Sequence, residues 1–248
     1  MGEQFITAYL YAPFYILMIS SSVILQLQKH ALQIGPVVPI NLNSSGVCRL
    51  DFTAANPSLY GKDLRDTASF AQLVNGLLAA QQATVGLGGY LENRTIYGRS
   101  NHFTSQEESR SIHLGVDIWM EAFTPVTAPL NGRVHSFQDN ANFGDYGPTI
   151  ILEHQLEDQT FYTLYGHLTR TSLSSLFVGK EVSQDDTLAQ IGSFPENGDW
   201  PPHLHFQVMT DMLGMAGDFP GVCTVAQRDY FAQICLNPNL ILQSTFLN

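Results

Sequence analysis

Three short motifs hold the residues of this chain that are best suited to chemistry. His113-Leu-Gly-Val-Asp117 sets an imidazole and a carboxylate four positions apart, His167 ends a β-type run, and His203-Leu-His205 follows a proline pair. Zinc binds imidazole nitrogen and carboxylate oxygen, and catalytic zinc sites commonly keep three protein ligands and one open position. His113, Asp117 and His205 meet that requirement. His167 and His203 are then free to orient a metal-bound water, take its proton or stabilise an oxyanion.

A strand must position the last pair of histidines. In an extended segment alternate side chains share a face, so His203 and His205 point one way while Leu204 and Phe206 point to the core. The residues from Ser111 onward alternate short β-rich runs with turn residues, which predicts a mainly β fold, α+β overall. The predicted strands are Val116–Met120, Gly132–Phe137, Thr149–His154, Phe161–Gly166, Thr187–Ile191 and His203–Met209.

The residues before Ser111 have a different texture. Residues 35–56 hold short β-like runs broken by Pro, Asn and Gly, and residues 63–83 carry apolar side chains at helical spacing, with Asp63 or Asp66 as the cap. The glycine-rich stretch 85–103 reads as a link into the second half. A further helix is predicted at Thr224–Cys235.

The N-terminal segment is strongly apolar. Phe5–Leu27 has no charged residue and is long enough to span a bilayer. No basic residue precedes it and no typical cleavage site follows, which is unlike a standard signal peptide. Three interpretations stay open: a membrane anchor, a poor export signal, or an extension packed on the domain. Residues 1–34 are therefore treated as a separate segment.

Composition excludes some function classes. The formal net charge is −11, and no Lys/Arg cluster offsets it, so neither nucleic acid nor an anionic membrane surface is expected as a partner. A membrane contact is expected only if the N-terminal segment inserts. Three cysteines cannot all pair within one chain, and no C-x-x-C occurs, which favours free thiols in a reducing compartment.

The motifs and their order from Ser111 to Val208 resemble the lysostaphin/LytM-type zinc metallopeptidases. The resemblance rests on H-x-G-x-D, a later G-H-L and a closing P-H-L-H-F. It implies an antiparallel β-sandwich or barrel of the duplicated hybrid motif type over residues 111–248, preceded by an α+β extension at residues 35–110. It also implies zinc held by His113, Asp117 and His205, with His167 and His203 as the catalytic imidazoles.

Some positions depart from that family pattern. Trp200-Pro201 stand where a small residue and glycine are usual, Gln207 stands where glutamate is usual, and Phe123 replaces a glycine. These changes spare every metal ligand but alter the groove wall. Segments such as GDYGPTIILEH and ENGDWPPHLHFQ are also similar to a peptidase-like domain fused to class III aminotransferases. That likeness favours a cytoplasmic location, with membrane anchoring or export to the cell envelope as alternatives.

The resulting prediction is a zinc-dependent endopeptidase that cleaves peptide amide bonds, in peptidoglycan peptides or in a small intracellular peptide. The alternative is a catalytically silent binding or scaffold module on the same fold. A lipoyl- or biotin-carrier domain fits less well, because Lys180 is not in a Met-Lys-Met turn. The resemblance further implies that the segment before Ser109 can lie across the groove, with Asn101, His102 or Glu107 as the candidate blocking ligand. The oligomeric state is left open.

Overall fold

A nine-stranded mixed sheet forms the frame of the protein. The computed structural model describes residues 18–103 and 109–248, and the following elements belong to those residues. Across the sheet the order is β1 (Val47–Leu50), β2 (Val85–Gly88), β4 (Val116–Trp119), β11 (His203–Met209), β8 (Gln159–Gly166), β7 (Gly147–Leu156), β6 (Gly132–Asn140) and β9 (Glu181–Val182), with β13 (Cys235–Leu236) paired to the end of β11. Two small sheets pair β5 (Pro125–Thr127) with β10 (Thr187–Gln190), and β3 (Ile112–His113) with β12 (Val222–Cys223).

The prediction of a mainly β fold is confirmed, with two differences in detail. The β1–β2 pair is parallel, whereas the other pairs of the main sheet are antiparallel. The sheet is open, because β1 and β9 lie at opposite ends of the described strand order. Each of the six predicted strands is present, with the ends of four of them shifted by one to three residues and β7 longer at both ends.

The prediction of a simple link at residues 85–103 is wrong for its first four residues, which form β2. Strand β2 pairs with β4 and lies fully buried. A Cβ at Gly86 would collide with Leu50, so glycine here permits close packing rather than a turn. The segment before Ser111 thus adds two strands to the sheet that carries Asp117.

Strand β11 separates an apolar face from a polar one. All seven of its residues are buried. Leu204, Phe206 and Val208 join the largest apolar cluster, while the side chains of His203 and His205 face the other way. This is the period-two alternation expected for a strand with one face in the core.

The predicted helix after residue 63 is α2 (Thr67–Ala80). The side chain of Asp66 caps it by accepting a hydrogen bond from the Ser69 amide at 2.9 Å. Phe70 and Val74 lie one turn apart on its buried face, which packs in a second apolar cluster with Trp119 and Trp200. The C-terminal prediction at Thr224–Cys235 is met by α3 (Arg228–Ile234), and a single-turn helix α4 (Asn239–Leu242) follows.

Within the N-terminal segment, residues 18–29 form a helix, α1, and a 3-10 turn at Ala31–Gln33 follows it. Val23 and Leu27 are buried in the main apolar cluster, and the Ser20 hydroxyl donates to the Gln233 carbonyl oxygen. The predicted apolar stretch Phe5–Leu27 shares residues 18–27 with this helix, and this part packs on the domain. Residues 5–17 lie outside the described part. No helix within residues 18–103 and 109–248 is long and apolar enough to cross a bilayer.

Candidate metal centre and active site

Three buried side chains from three strands lie close together. His113 ends β3, Asp117 lies in β4, and His205 lies in β11 directly opposite Asp117 in the register. His113 Nε2 is 3.0 Å from His205 Nδ1, and Asp117 Oδ1 is 3.2 Å from His113 Nε2 and 3.1 Å from His205 Nδ1. The three atoms form a nearly equilateral triangle, and the three side chains are buried.

The hydrogen bonds behind the imidazoles fix which nitrogen carries the proton. His113 Nδ1 lies 3.0 Å from the Gly89 carbonyl oxygen, which can only accept, so Nδ1 donates and Nε2 keeps its lone pair. Gln207 Nε2 donates to the Pro220 carbonyl, so Gln207 Oε1 accepts from His205 Nε2 at 3.0 Å. His205 Nδ1 therefore also presents a lone pair to the triangle.

Three electron-pair donors thus face one another with no hydrogen between them. Such an arrangement is favourable only around a cation. Ligands about 2.0–2.1 Å from a tetrahedral metal lie about 3.3 Å apart, close to the triangle observed. Neutral imidazole and carboxylate suit a divalent metal ion, and backbone or amide partners on both imidazoles are the usual second layer of such sites. The donor set therefore fits a metal ion.

Two further imidazoles lie beside the triangle. His167 Nδ1 donates to the Asn197 carbonyl and His203 Nδ1 donates to the Pro201 carbonyl, both at 2.8 Å, so each Nε2 has a free lone pair. The two rings are 4.2 Å apart between centroids, and His203 stacks on Trp119 at 4.0 Å. His203 Nε2 is 3.8 Å from Asp117 Oδ1. All five residues predicted for the site are therefore brought together.

Burial controls the charge of these groups. It lowers the pKa of His203 to about 4, and with the nearby Arg94 it lowers the pKa of His113 to about 4. Burial and the adjacent His203 hold the pKa of His167 well below its ordinary value. Burial opposes the charge of Asp117, but His113 and Arg94 outweigh it and hold the pKa of that carboxyl well below its usual range. At neutral pH His113, His167 and His203 are therefore neutral and Asp117 is a carboxylate, the forms in which these side chains bind metal.

Arg94 is a site residue that sequence reasoning missed. Its guanidinium is buried, and it donates to Asp117 Oδ2, to Glu92 Oε2 at 2.7 Å and to the Tyr97 hydroxyl at 3.2 Å. Asp117 Oδ1 is thereby left to the triangle. The sequence contains little indication of this role, because Glu92-Asn-Arg94 matches no metal motif. The contact between Arg94 and Asp117 depends on the pairing of β2 with β4.

A cavity of about 300 Å³ opens over the triangle. Its walls are largely aromatic and include Tyr97, Phe103, Tyr146, Trp200 and Phe219. Residues from before Ser111 form one side of it, and residues 215–222 form another. The five site residues are each at most 5% exposed, so they lie at the bottom of the cavity.

The structure describes two of the three residues that were predicted to block the site. His102 lines the cavity, but its Nε2 pairs with Asp145 Oδ1 at 3.8 Å and contacts no member of the triangle. Asn101 begins a short 3-10 helix, Asn101–Phe103, next to His102. Glu107 lies outside the described residues. A blocking role for this segment stays a prediction.

The described residues form an open, mainly β fold with a buried His-Asp-His cluster that could hold a metal ion and two imidazoles beside it. The model of Peptidase family M23 matches residues 111–216, so this part of the chain is similar to that family. No curated protein sequence matches the chain.

Solved structures of similar proteins include three peptidases. The catalytic domain of the antimicrobial peptidase lysostaphin from Staphylococcus simulans is 25% identical, over 54% of this chain and 81% of that chain, with a TM-score of 0.39. A putative peptidase M23 from Pseudomonas aeruginosa is 18% identical, over 73% and 63%, with a TM-score of 0.36. A zinc containing peptidase from Vibrio cholerae is 23% identical, over 42% and 29%, with a TM-score of 0.32.

Proposed function

We propose that this protein is a zinc-dependent hydrolase of peptide amide bonds. The observation that carries the proposal is the triangle of three unprotonated donor atoms on His113, Asp117 and His205. These residues would hold the zinc ion, which when bound supplies Lewis acidity and lowers the pKa of bound water. The family match over residues 111–216 supports this chemistry.

His167 and His203 are proposed to move the protons of the reaction. Each presents an unprotonated Nε2 because a backbone carbonyl holds the proton on Nδ1. A neutral imidazole can accept a proton from the attacking water and later deliver it to the leaving amine. The stack of Trp119 on His203 fixes the plane of that ring, so its lone pair stays aimed at the cavity.

The proposed substrates are short peptides or small amides. A pocket of about 300 Å³ lies at the small end of the range of ligand sites, and it is walled on several sides. A short peptide derived from peptidoglycan fits this description, whereas an intact cross-linked polymer needs an open groove. Aromatic walls also favour a substrate with an apolar side chain.

The test combines zinc analysis with a length series of peptides, from dipeptides to pentapeptides, and purified peptidoglycan. We expect one zinc per chain and turnover that falls as peptides lengthen. His205→Ala should lose the zinc, while His167→Ala should keep it and lose turnover. His30→Ala is the control, because His30 contacts Glu157 away from the site. Equal zinc content in wild type and His205→Ala would refute the ligand assignment.

The alternative is a catalytically silent binding module on the same fold. One observation favours it: the Arg94 cation binds the carboxylate that would hold the metal, which weakens that carboxylate as a ligand. A silent module would bind short peptides with unchanged affinity in wild type and His167→Ala, and neither protein would show turnover. Calorimetry and a hydrolysis assay on the same peptides separate the two functions.

A further inference from the structure

One loop accepts the hydrogen bonds of both imidazoles that lie beside the proposed metal centre. His167 Nδ1 donates to the Asn197 carbonyl oxygen and His203 Nδ1 donates to the Pro201 carbonyl oxygen, both at 2.8 Å. These two acceptors are the first and last residues of loop 197–201. The hydrogen bond on one ring nitrogen sets the proton of the other, so the shape of this loop sets the tautomer of both rings.

The backbone of loop 197–201 has an unusual conformation. Gly198 and Asp199 have φ values of 83° and 64°, so two successive residues lie in the left-handed region, and the loop has no helix or strand hydrogen bonding. A non-glycine residue adopts that region at an energetic cost and stays there only when surrounding contacts require it. Side-chain contacts must therefore keep the loop in this shape.

The Asn197 side chain provides such contacts inside the loop. It is fully buried, its Oδ1 accepts from the Trp200 N–H at 3.1 Å, and its Nδ2 donates to the Trp200 carbonyl oxygen at 2.9 Å. One amide thus binds both backbone polar groups of a residue three positions further along the chain. Because Pro201 follows Trp200 directly, the same amide also positions the acceptor of His203.

A further hydrogen bond connects Asn197 to the backbone of His167. Asn197 Nδ2 also donates to the Gly192 carbonyl oxygen at 3.1 Å, and the Gly192 N–H donates to the His167 carbonyl oxygen at 2.8 Å. His167 has a φ of 62°, so its own backbone conformation depends on such contacts. Asn197 therefore acts on the His167 ring through its carbonyl and on the His167 backbone through Gly192.

Two contacts from the N-terminal part of the chain bind the middle of the loop. Arg99 Nη1 and Thr67 Oγ1 both donate to the Asp199 carbonyl oxygen at 3.0 Å. They support the left-handed residues, whereas the Asn197 amide binds the residue next to the acceptor of His203. The two sets of contacts therefore act on different parts of the loop.

We propose that Asn197 is a positioning residue that sets the tautomer and the direction of His167 and His203. This inference rests on the proposed hydrolase function and names a side chain that prepares both proton-transfer groups before a substrate arrives. Without the Asn197 amide, His167 can place its proton on Nε2, and its lone pair then lies on the side of the loop. A ring in that state cannot accept a proton in the cavity.

The test follows the imidazole protons by nitrogen NMR of zinc-loaded full-length protein with isotope-labelled histidine. A ring nitrogen with a proton and one with a lone pair have separate shifts, and His167→Ala and His203→Ala assign the signals. Asn197→Ala should shift the ratio of the His167 tautomers toward Nε2–H at least about threefold, the effect of losing one hydrogen bond. The zinc content should equal that of wild type.

Turnover of the dipeptide glycyl-phenylalanine gives a second readout. Asn197→Ala should lower kcat about tenfold to hundredfold, because the proton-transfer groups are misplaced, and should leave KM within about threefold of wild type. Asn197→Ser keeps one donor, so it should fall between wild type and Asn197→Ala in both readouts. It also carries the test if the alanine variant does not fold.

Asn239→Ala is the matched control. The Asn239 amide likewise binds both backbone groups of one residue, because it accepts from the Ser244 N–H at 2.8 Å and donates to the Ser244 carbonyl oxygen at 3.0 Å. Neither residue lines the cavity, so this variant should keep the wild-type tautomers and kcat.

Unchanged tautomers in folded Asn197→Ala or Asn197→Ser would overturn the proposal. An equal shift in Asn239→Ala would also overturn it, because the effect would then be a general loosening of the fold. The tautomers are measured without substrate, so a shift in a protein that hydrolyses nothing would refute only the hydrolase function.

Discussion

Replacing Gln207 by leucine should weaken zinc binding without touching a ligand. Gln207 is fully buried, and its Oε1 accepts the hydrogen bond from His205 Nε2 that leaves His205 Nδ1 free for the metal. Leucine has nearly the same volume and no acceptor. His205 then loses the partner that sets its tautomer and its orientation.

The expected magnitude comes from that single contact. Loss of an outer hydrogen-bond partner of a metal-bound histidine typically costs tenfold to hundredfold in affinity, or about 1.4 to 2.7 kcal/mol. The Tyr146 hydroxyl lies 3.4 Å from the same nitrogen and can take over part of the role. We therefore expect a loss of about tenfold to thirtyfold. Gln207→Glu keeps an acceptor at this position and should bind zinc at least as tightly as wild type.

Competition with a chromophoric chelator measures the affinity directly. Thr163→Val is the matched control, because Thr163 is buried on the adjacent strand β8 and bonds with His154 and Tyr165, away from the triangle. It should cost about 1 kcal/mol of folding free energy and leave zinc affinity unchanged. Unchanged affinity in Gln207→Leu, or an equal loss in Gln207→Glu, would show that this hydrogen bond does not set the metal site.

Three further predictions concern stability. Burial lowers the pKa of His154 to about 4, so the folded protein resists a proton that the unfolded chain takes below about pH 6.5. From pH 7.5 to 5 this histidine should remove about 2 kcal/mol of unfolding free energy. In urea titrations the loss of stability over this range should therefore be about 2 kcal/mol smaller in His154→Gln than in wild type, because the other buried histidines keep their own contributions, and an equal loss in both proteins would contradict this. Gly198→Ala should lower the free energy of unfolding by about 2 kcal/mol more than Gly179→Ala in the same urea titrations. Both glycines have a positive φ, but only at Gly198 would a Cβ collide with the Asp145 carbonyl. Equal losses of unfolding free energy in the two variants would contradict this. Zinc at a thousandfold excess over its Kd should stabilise wild type by about 4 kcal/mol in thermal unfolding, and a similar gain in His205→Ala would place the metal elsewhere.

The sequence was most informative where apolar and polar side chains alternate along a strand. The alternation of His203 and His205 with Leu204 and Phe206 identified β11 with its observed bounds, and Asp66 was one of two predicted caps for α2. The site histidines could be found because metal ligands must be specific residue types at motif spacing. Their convergence in the structure follows from the register that places Asp117 opposite His205.

Features that depend on pairing between strands far apart in the sequence could not be predicted. Strand β2 has two glycines in four residues and is buried on both faces, so neither alternation nor β-branched composition marked it. The role of Arg94 depends on that strand, and no local pattern around residues 92–94 reveals it. Whether the unit boundary falls at residue 111 stays a prediction.

The pairing of β2 with β4 also bears on how relatives of this protein should be compared. Gly89, Arg94 and Tyr97 all precede residue 111, yet they contact the proposed metal ligands or line the pocket. Substitutions in that upstream stretch can retune which molecules are accepted while every hallmark histidine stays intact. An alignment restricted to residues 111–216 would group such variants as equivalent, although their chemistry had already diverged.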